Sequence, residues 1–334
     1  MPPPPPRPRR WRRDDREGRR DDRGGAAMTA VAGRAGRAAM LAMLLATPPV
    51  FAQLPPSRLP PETGIAGAPA EAQYRAQDAA FRWTGTLSQG GMIVGTAPRG
   101  TRTLTLDSRP VAVARDGRFV VGFDRDAPPE AVLVATLADA RGDGGTVRQP
   151  LAIAPRAWNI SRLSSLPKYP VPEALFTRLR PPELAQIVAA RARDSVSDGW
   201  RQAFAWPVTG RISTLFGSQR IYANGEAGSY HSGVDVARET GAVVVAPADG
   251  VVILAADHPF TLEGNLLMID HGMGLNSAFL HLSRIDVRVG DTVRRGQPVG
   301  AVGRTGRATG PHLHWSLRWR DAKLDPLLAA GAMR

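Results

Sequence analysis

Between Phe81 and Ile153 the apolar residues fall in short runs broken by Gly, Asp and Pro, the punctuation of strands and turns. "VAVAR" (111–115) and "RFVVGF" (118–123) flank Asp116-Gly117, a pair suited to a two-residue turn, so the pattern predicts a hairpin there. A second hairpin is expected to join "AVLVATLA" (131–138) to "TVRQPLAI" (146–153) through "GDGG" (142–145). Residues 80–155 therefore read as a small all-β module. It holds no histidine and no convergent charged cluster, so no chemistry is assigned to it.

The period changes over 156–203. In "PPELAQIVAARARDSVSDGW", Pro181 and Pro182 precede Glu183 as prolines do at a helix start, and Leu184, Ile187, Val188 and Ala190 recur at helical spacing. This predicts a helical connector. Strand-like runs return in 204–330: "AVVVAPADGVVILAA" (242–256), "NLLMIDHG" (265–272), "NSAFLHLSRIDV" (276–287) and "PHLHWSLRW" (311–319). Short strands divided by Gly and Asp turns predict a compact antiparallel β domain. The expected fold class is mainly β, a C-terminal antiparallel β-sheet domain preceded by a small all-β module and a helical connector.

The first 27 of the 334 residues are Pro, Arg and Asp with almost nothing apolar, and read as a disordered extension or a start codon chosen too early. From Met28 to Ala52 a basic segment with Arg34 and Arg37, the apolar "AAMLAMLLATPPV" (38–50) and the small-residue "VFA" have the order of a secretory signal. The apolar run is shorter than a membrane span and is broken by Pro48 and Pro49, so no transmembrane anchor is expected in the mature chain. Residues 53–79, rich in Pro, Ala and Gln, read as a linker. The expected location is outside the cytoplasmic membrane, in the periplasm.

Composition then narrows the chemistry. There is no cysteine, which excludes disulfide stapling and acylation at the cleavage point, and leaves only nitrogen and oxygen ligands for a metal. The formal charge is +13; without the first 52 residues, which hold 11 Arg and 5 acidic side chains, it is +7. A basic exported protein is suited to anionic polymers such as cell wall, and no nucleic-acid partner is expected there.

All six histidines lie in the last third. His312 and His314 in "HLHW" project from the same side of a strand, with Leu313 turned to the core. His231 and Asp235 in "HSGVD" are four apart and share a side of an extended chain. His281, in "FLHLS", is expected on one face with Phe279 and Ser283. A three-ligand His/Asp set with one open position is the pattern of a catalytic zinc site.

Residues 206–326 closely resemble the LytM-type, lysostaphin-like zinc metallopeptidases of family M23, also called peptidoglycan DD-metalloendopeptidases. The resemblance rests on "HSGVD", "APADGVV", "MIDHGMGLNSAFLHLS", "VRVGDTVRRGQPVG" and "GRTGRATGPHLHW", in that order. It implies one zinc ion held by His231, Asp235 and His314, with catalytic His281 and His312 flanking the water to be activated. The implied activity is hydrolysis of peptide cross-links in peptidoglycan. The implied partners are its stem peptides, with divisome or other cell-wall regulators as further candidates. Two departures stand out: Phe279 where the family often has Tyr, and the insert-like "DHPFTLEGN" (257–265), which bears on one groove wall.

Two other functions compete. A non-catalytic LytM-like adaptor that activates other wall hydrolases usually loses metal ligands, whereas all five groups are kept here. A biotinyl or lipoyl carrier needs a lysine at a hairpin tip, and Lys168 and Lys323, the only lysines, are in no such turn. His258 and His271 are assigned to solvent or structure. "GRTGRATG" (303–310) lacks the Lys-Ser/Thr end of a phosphate loop and reads as a Gly-rich rim for an extended peptide.

Overall fold

The computed structural model describes residues 80–138, 144–163, 169–222 and 225–333, so the expected extension, signal and linker lie outside the described residues. The first module comprises β1 (Arg82–Gly85), β2 (Met92–Thr96), β3 (Thr101–Leu106), β4 (Arg109–Val111), β5 (Arg118–Gly122), β6 (Glu130–Leu137) and β7 (Thr146–Ala152). They form two antiparallel sheets, β1-β2-β5 and β4-β3-β6-β7, around buried Ile93, Phe119, Val121, Leu133 and Leu151. The β6–β7 hairpin pairs from Glu130 opposite Ala152 to Thr136 opposite Thr146. The hairpin expected at Asp116-Gly117 is corrected: β4 pairs with β3, and β5 with β2. The turn closes, with the Gly117 N–H donating to the Ala114 carbonyl at 2.8 Å, but the two runs part into different sheets. Facing sheets let Val111 and Phe119 share one core, which a lone two-stranded ribbon cannot provide.

The connector holds β8 (Ile160–Leu163) as well as α1 (Glu173–Arg191). The helix begins ten residues before the expected start, so Pro181 and Pro182 lie inside it. Interior proline costs about 3 kcal/mol, and tertiary burial offsets it. Ile187 and Ala190 pack on Ile253, Leu254, Phe260, Leu266 and Met268. The apolar stripe also differs from the sequence pattern: Leu184 and Val188 are exposed, and the third buried position is Glu183. Its carboxylate accepts the Thr261 N–H and hydroxyl, each at 2.6 Å, and Arg180 at 3.1 Å, which satisfies the charge in place.

The C-terminal domain contains β9 (Arg211–Thr214), β10 (Gln219–Tyr222), β11 (Val234–Ala237), β12 (Val243–Val245), β13 (Gly250–Ala255), β14 (Asn265–Asp270), β15 (Leu275–Leu282), β16 (Arg284–Ile285), β17 (Thr292–Val293), β18 (Pro298–Ala301), β19 (His312–Trp319) and β20 (Ala322–Leu324), closed by the short α2 (Pro326–Ala330). The main sheet runs β17-β13-β14-β15-β19-β11-β9, with β20 beside β19. Leu313, Trp315 and Leu317 of β19 alternate onto one face and enter the core with Val234, Val236, Leu267 and Phe279. The opposite face, with Ala278 and Leu280 of β15, is covered in part by α1. The connector strand β8 pairs parallel with β10, from Ile160 opposite Gln219 to Leu163 opposite Tyr222.

Candidate active site

Strand register brings the first two groups together. β11 and β19 are antiparallel with Asp235 opposite His314, so both side chains leave the sheet on the same face. His231 precedes β11 and is fully buried. Its N–H donates to the Ser218 carbonyl at 2.9 Å, and its Nδ1 stands 3.1 Å from the Leu215 carbonyl. That acceptor fixes the proton on Nδ1 and leaves the Nε2 lone pair facing inward. Gly233 is required between them, because a Cβ there would come within 2.3 Å of the Trp315 carbonyl oxygen and 2.8 Å of His314 Nε2.

Three ligand atoms converge. His231 Nε2 is 2.9 Å from Asp235 Oδ1, His314 Nδ1 is 2.8 Å from the same oxygen, and the two nitrogens are 2.9 Å apart. Two imidazoles and a carboxylate, buried, with one ligand atom of each within 2.9 Å of the other two, are a set that can hold a metal ion. Burial opposes charge on Asp235, but His231 and His314 outweigh it and hold the carboxyl well below its ordinary range. Burial pushes His314 down to about 4 despite its bond to Asp235. Asp235 is therefore a carboxylate and His314 a neutral imidazole at neutral pH, the forms in which each can ligate a metal.

His281 reaches this face by a backbone irregularity. Leu282 lies opposite Asn265 but Phe279 opposite Leu267, so two residues of β15, Leu280 and His281, face Leu266 alone. His281 has φ of 65°, the left-handed region that non-glycine residues rarely enter. The expectation that Phe279 and His281 share a face is therefore corrected: Phe279 is in the core and His281 in the groove. The ring centroids of His281 and His312 are 4.7 Å apart.

The Gly-rich segment orients both of these histidines. His281 Nδ1 stands 2.8 Å from the Thr305 carbonyl and His312 Nδ1 2.8 Å from that of Gly310. Each ring thereby carries its proton on Nδ1 and keeps Nε2 as a lone pair; His312 Nε2 is 3.8 Å from Asp235 Oδ1. Burial, with the neighbouring His312 and His314, lowers His281 to about 3. The loop can fold this way because Gly306, with φ of 70°, sits against Gly264, whose nitrogen would be 2.3 Å from any added Cβ.

The groove above these groups has a volume of about 270 Å³. Its walls include Leu262 and Glu263 from the 257–265 segment, Arg307 from the Gly-rich loop, Arg220 of β10, and Ser161 and Leu163 of β8. Sequence reasoning did not find Ser161, Leu163 or Arg220. None has a motif partner at fixed spacing, and a parallel pairing between β8 and β10 leaves no local trace. The remaining histidines stand apart from the groove. His258 is exposed beside Asp257, while buried His271 bridges the Asp249 carbonyl at 2.8 Å and Ser277 Oγ at 2.9 Å.

Residues 229–326 match Peptidase family M23. A Pseudomonas aeruginosa structure assigned to peptidase M23 superposes with a TM-score of 0.56 at 30% identity, covering 74% of this chain and 96% of that one. The chain belongs to peptidase family M23. Among curated M23-like relatives, the peptidoglycan DD-endopeptidase ShyA of Vibrio cholerae serotype O1 is 38% identical over 139 residues, 41% of this chain and 32% of its own. The cell division protein DipM of Caulobacter vibrioides is 29% identical over 142 residues, 42% of this chain and 22% of its own. The chain thus spans about a third or less of the length of these relatives. Among the described residues, no helix is long and apolar enough to cross a membrane.

Proposed function

We propose that this M23 chain is a zinc-dependent endopeptidase that hydrolyses peptide cross-links of peptidoglycan outside the cytoplasmic membrane. The observation that carries the reading is the convergence of His231 Nε2, Asp235 Oδ1 and His314 Nδ1 beneath an open groove, with His281 and His312 beside them. The same convergence disfavours a non-catalytic adaptor. The donor set suits zinc: two nitrogens and one oxygen, with no thiolate. When bound, zinc supplies Lewis-acid polarisation of the scissile carbonyl and acidifies a water.

The chain's own residues supply the rest. His281 and His312 keep Nε2 lone pairs in the groove beside the ligand cluster, and one of the two is suited to accept the proton of the attacking water. Once protonated, the imidazolium can steady the developing oxyanion and return the proton to the leaving amine. The Thr305 and Gly310 carbonyls keep both rings in register for that exchange. The groove accommodates an extended peptide between the 257–265 wall and β8. ShyA is named for DD-endopeptidase activity on peptidoglycan, and a cell-division relative supports divisome or cell-wall regulators as partners. The signal-like segment at 28–52 supports export to the periplasm.

The test is metal analysis of the purified chain together with release of fragments from cross-linked peptidoglycan. About one zinc per chain and cleavage lost in His314→Ala are expected. Full metal content and full cleavage in that variant would refute the assignment.

A further inference from the structure

Arg220 is a cation in the groove with no acid of its own. Two acidic residues line the groove, Asp235 and Glu263. Asp235 is committed to the His231–His314 cluster. Glu263 is clamped by Arg180, whose two terminal nitrogens lie 2.6 and 2.8 Å from its oxygens. Among the described residues, no ion pair or side-chain hydrogen bond engages the Arg220 guanidinium. It is nevertheless partly buried beside a second cation, Arg307, whose Nη1 donates to Tyr222 Oη at 3.3 Å. Burial and the Arg307 charge both oppose ionisation of Arg220, while Asp235 favours it, and its charge bears on His314. A partly desolvated guanidinium with no ion pair of its own is costly until an anion joins it.

Peptide chemistry says which anion fits beside the reacting bond. The residue on the carbonyl side has used its α-carboxyl in the bond itself. A free α-carboxylate next to that bond must therefore belong to the residue whose nitrogen leaves, two bonds from that nitrogen. Guanidinium forks match carboxylates with paired hydrogen bonds, which a point charge does not. We infer that Arg220 forms the subsite for a free α-carboxylate on the leaving-amine residue of the substrate. This rests on the peptidase reading proposed above and gives that site a specificity. The carboxylate has two sources with the same chemistry: the terminal residue of a linear stem, or the diamino acid of a cross-link.

The experiment compares the zinc-loaded full chain with Arg220→Gln on substrates carrying either the free carboxylate or its carboxamide at that position. Each is supplied both as a linear D-alanyl-D-alanine stem and as a cross-linked dimer, and the form cleaved identifies the source. Wild type should prefer the carboxylate by ~10- to 100-fold in kcat/KM, chiefly through KM, and Arg220→Gln should lose that preference. Arg220→Lys should retain part of it, and it carries the same comparison if Arg220→Gln fails to fold. Separately, the metal-free full chain is titrated with D-alanyl-D-alanine and with its C-terminal amide. Tighter binding of the acid, abolished in Arg220→Gln, supports the subsite even if no substrate is cleaved, an outcome that would count against the hydrolase alone. Equal handling of acid and amide by wild type overturns the inference. So does an equal loss of kcat on both in Arg220→Gln, which would place Arg220 at the reacting carbonyl.

Discussion

Asp235 and His314 are cross-strand partners on β11 and β19, and their ligand atoms stand 2.8 Å apart. One hydrogen-bonded register thus assembles two of the three groups that could hold a metal ion, and His231 is delivered to them by the short "HSG" approach to β11. Replacing Asp235 by Asn keeps the shape but removes the charge that compensates a dication. Zinc affinity should fall by at least ~100-fold, since even supporting residues behind metal ligands are worth 10- to 100-fold. Competition titration with a chelator measures this, and an unchanged affinity would contradict the ligand role.

Removing His281 or His312 should separate binding from chemistry. His281→Ala and His312→Ala are each expected to keep zinc and lower kcat by ~100- to 10,000-fold, the range for a positioned acid or base. Gly306→Ala should act in the same direction, because the added Cβ meets Gly264 and displaces the Thr305 carbonyl that orients His281. Loss of zinc in the His281 or His312 variants would make them ligands instead.

Arg180 ties the connector helix to the groove wall by holding both Glu183 and Glu263. All three side chains are largely buried, so Arg180→Ala strands the Glu263 carboxylate and removes one of the three donors to Glu183. A destabilisation of about 3 kcal/mol is expected, with Glu263→Gln in the same background restoring part of it. Denaturant unfolding of the single and double variants measures the coupling. Additive effects would show that the clamp contributes little.

His271 should make stability pH-dependent. Burial pushes it down to about 4, against a bond to the Asp249 carbonyl that raises it, while an unfolded histidine titrates near 6.5. The folded state therefore binds fewer protons between these values. Its contribution is complete above about pH 6.5 and is lost as pH falls towards 4, by about 3 kcal/mol in all. His271→Gln should flatten the melting temperature across that window. An equally steep decline in the variant would assign the loss to other groups.

The five candidate groups and the β character of the C-terminal domain were legible in the chain, because period-two alternation and close spacing are local properties. "HLHW" places His312 and His314 on one face of any strand, and "HSGVD" brings His231 near Asp235 over a short reach. The β6–β7 hairpin was legible for the same reason. The parting of β4 from β5 at Asp116-Gly117 was not, since the choice of sheet depends on which partners bury Val111 and Phe119. Nor was the true start of α1, where contacts of Ile187 and Ala190 with the sheet outweigh two prolines. His281 reached the groove through a bulge that alternation cannot foresee. Arg220, Ser161 and Leu163 line the groove through a parallel pairing between segments some sixty residues apart. Local spacing set which donors the site would hold; how they face one another and what walls them followed from register and packing, which belong to segments that meet only in space.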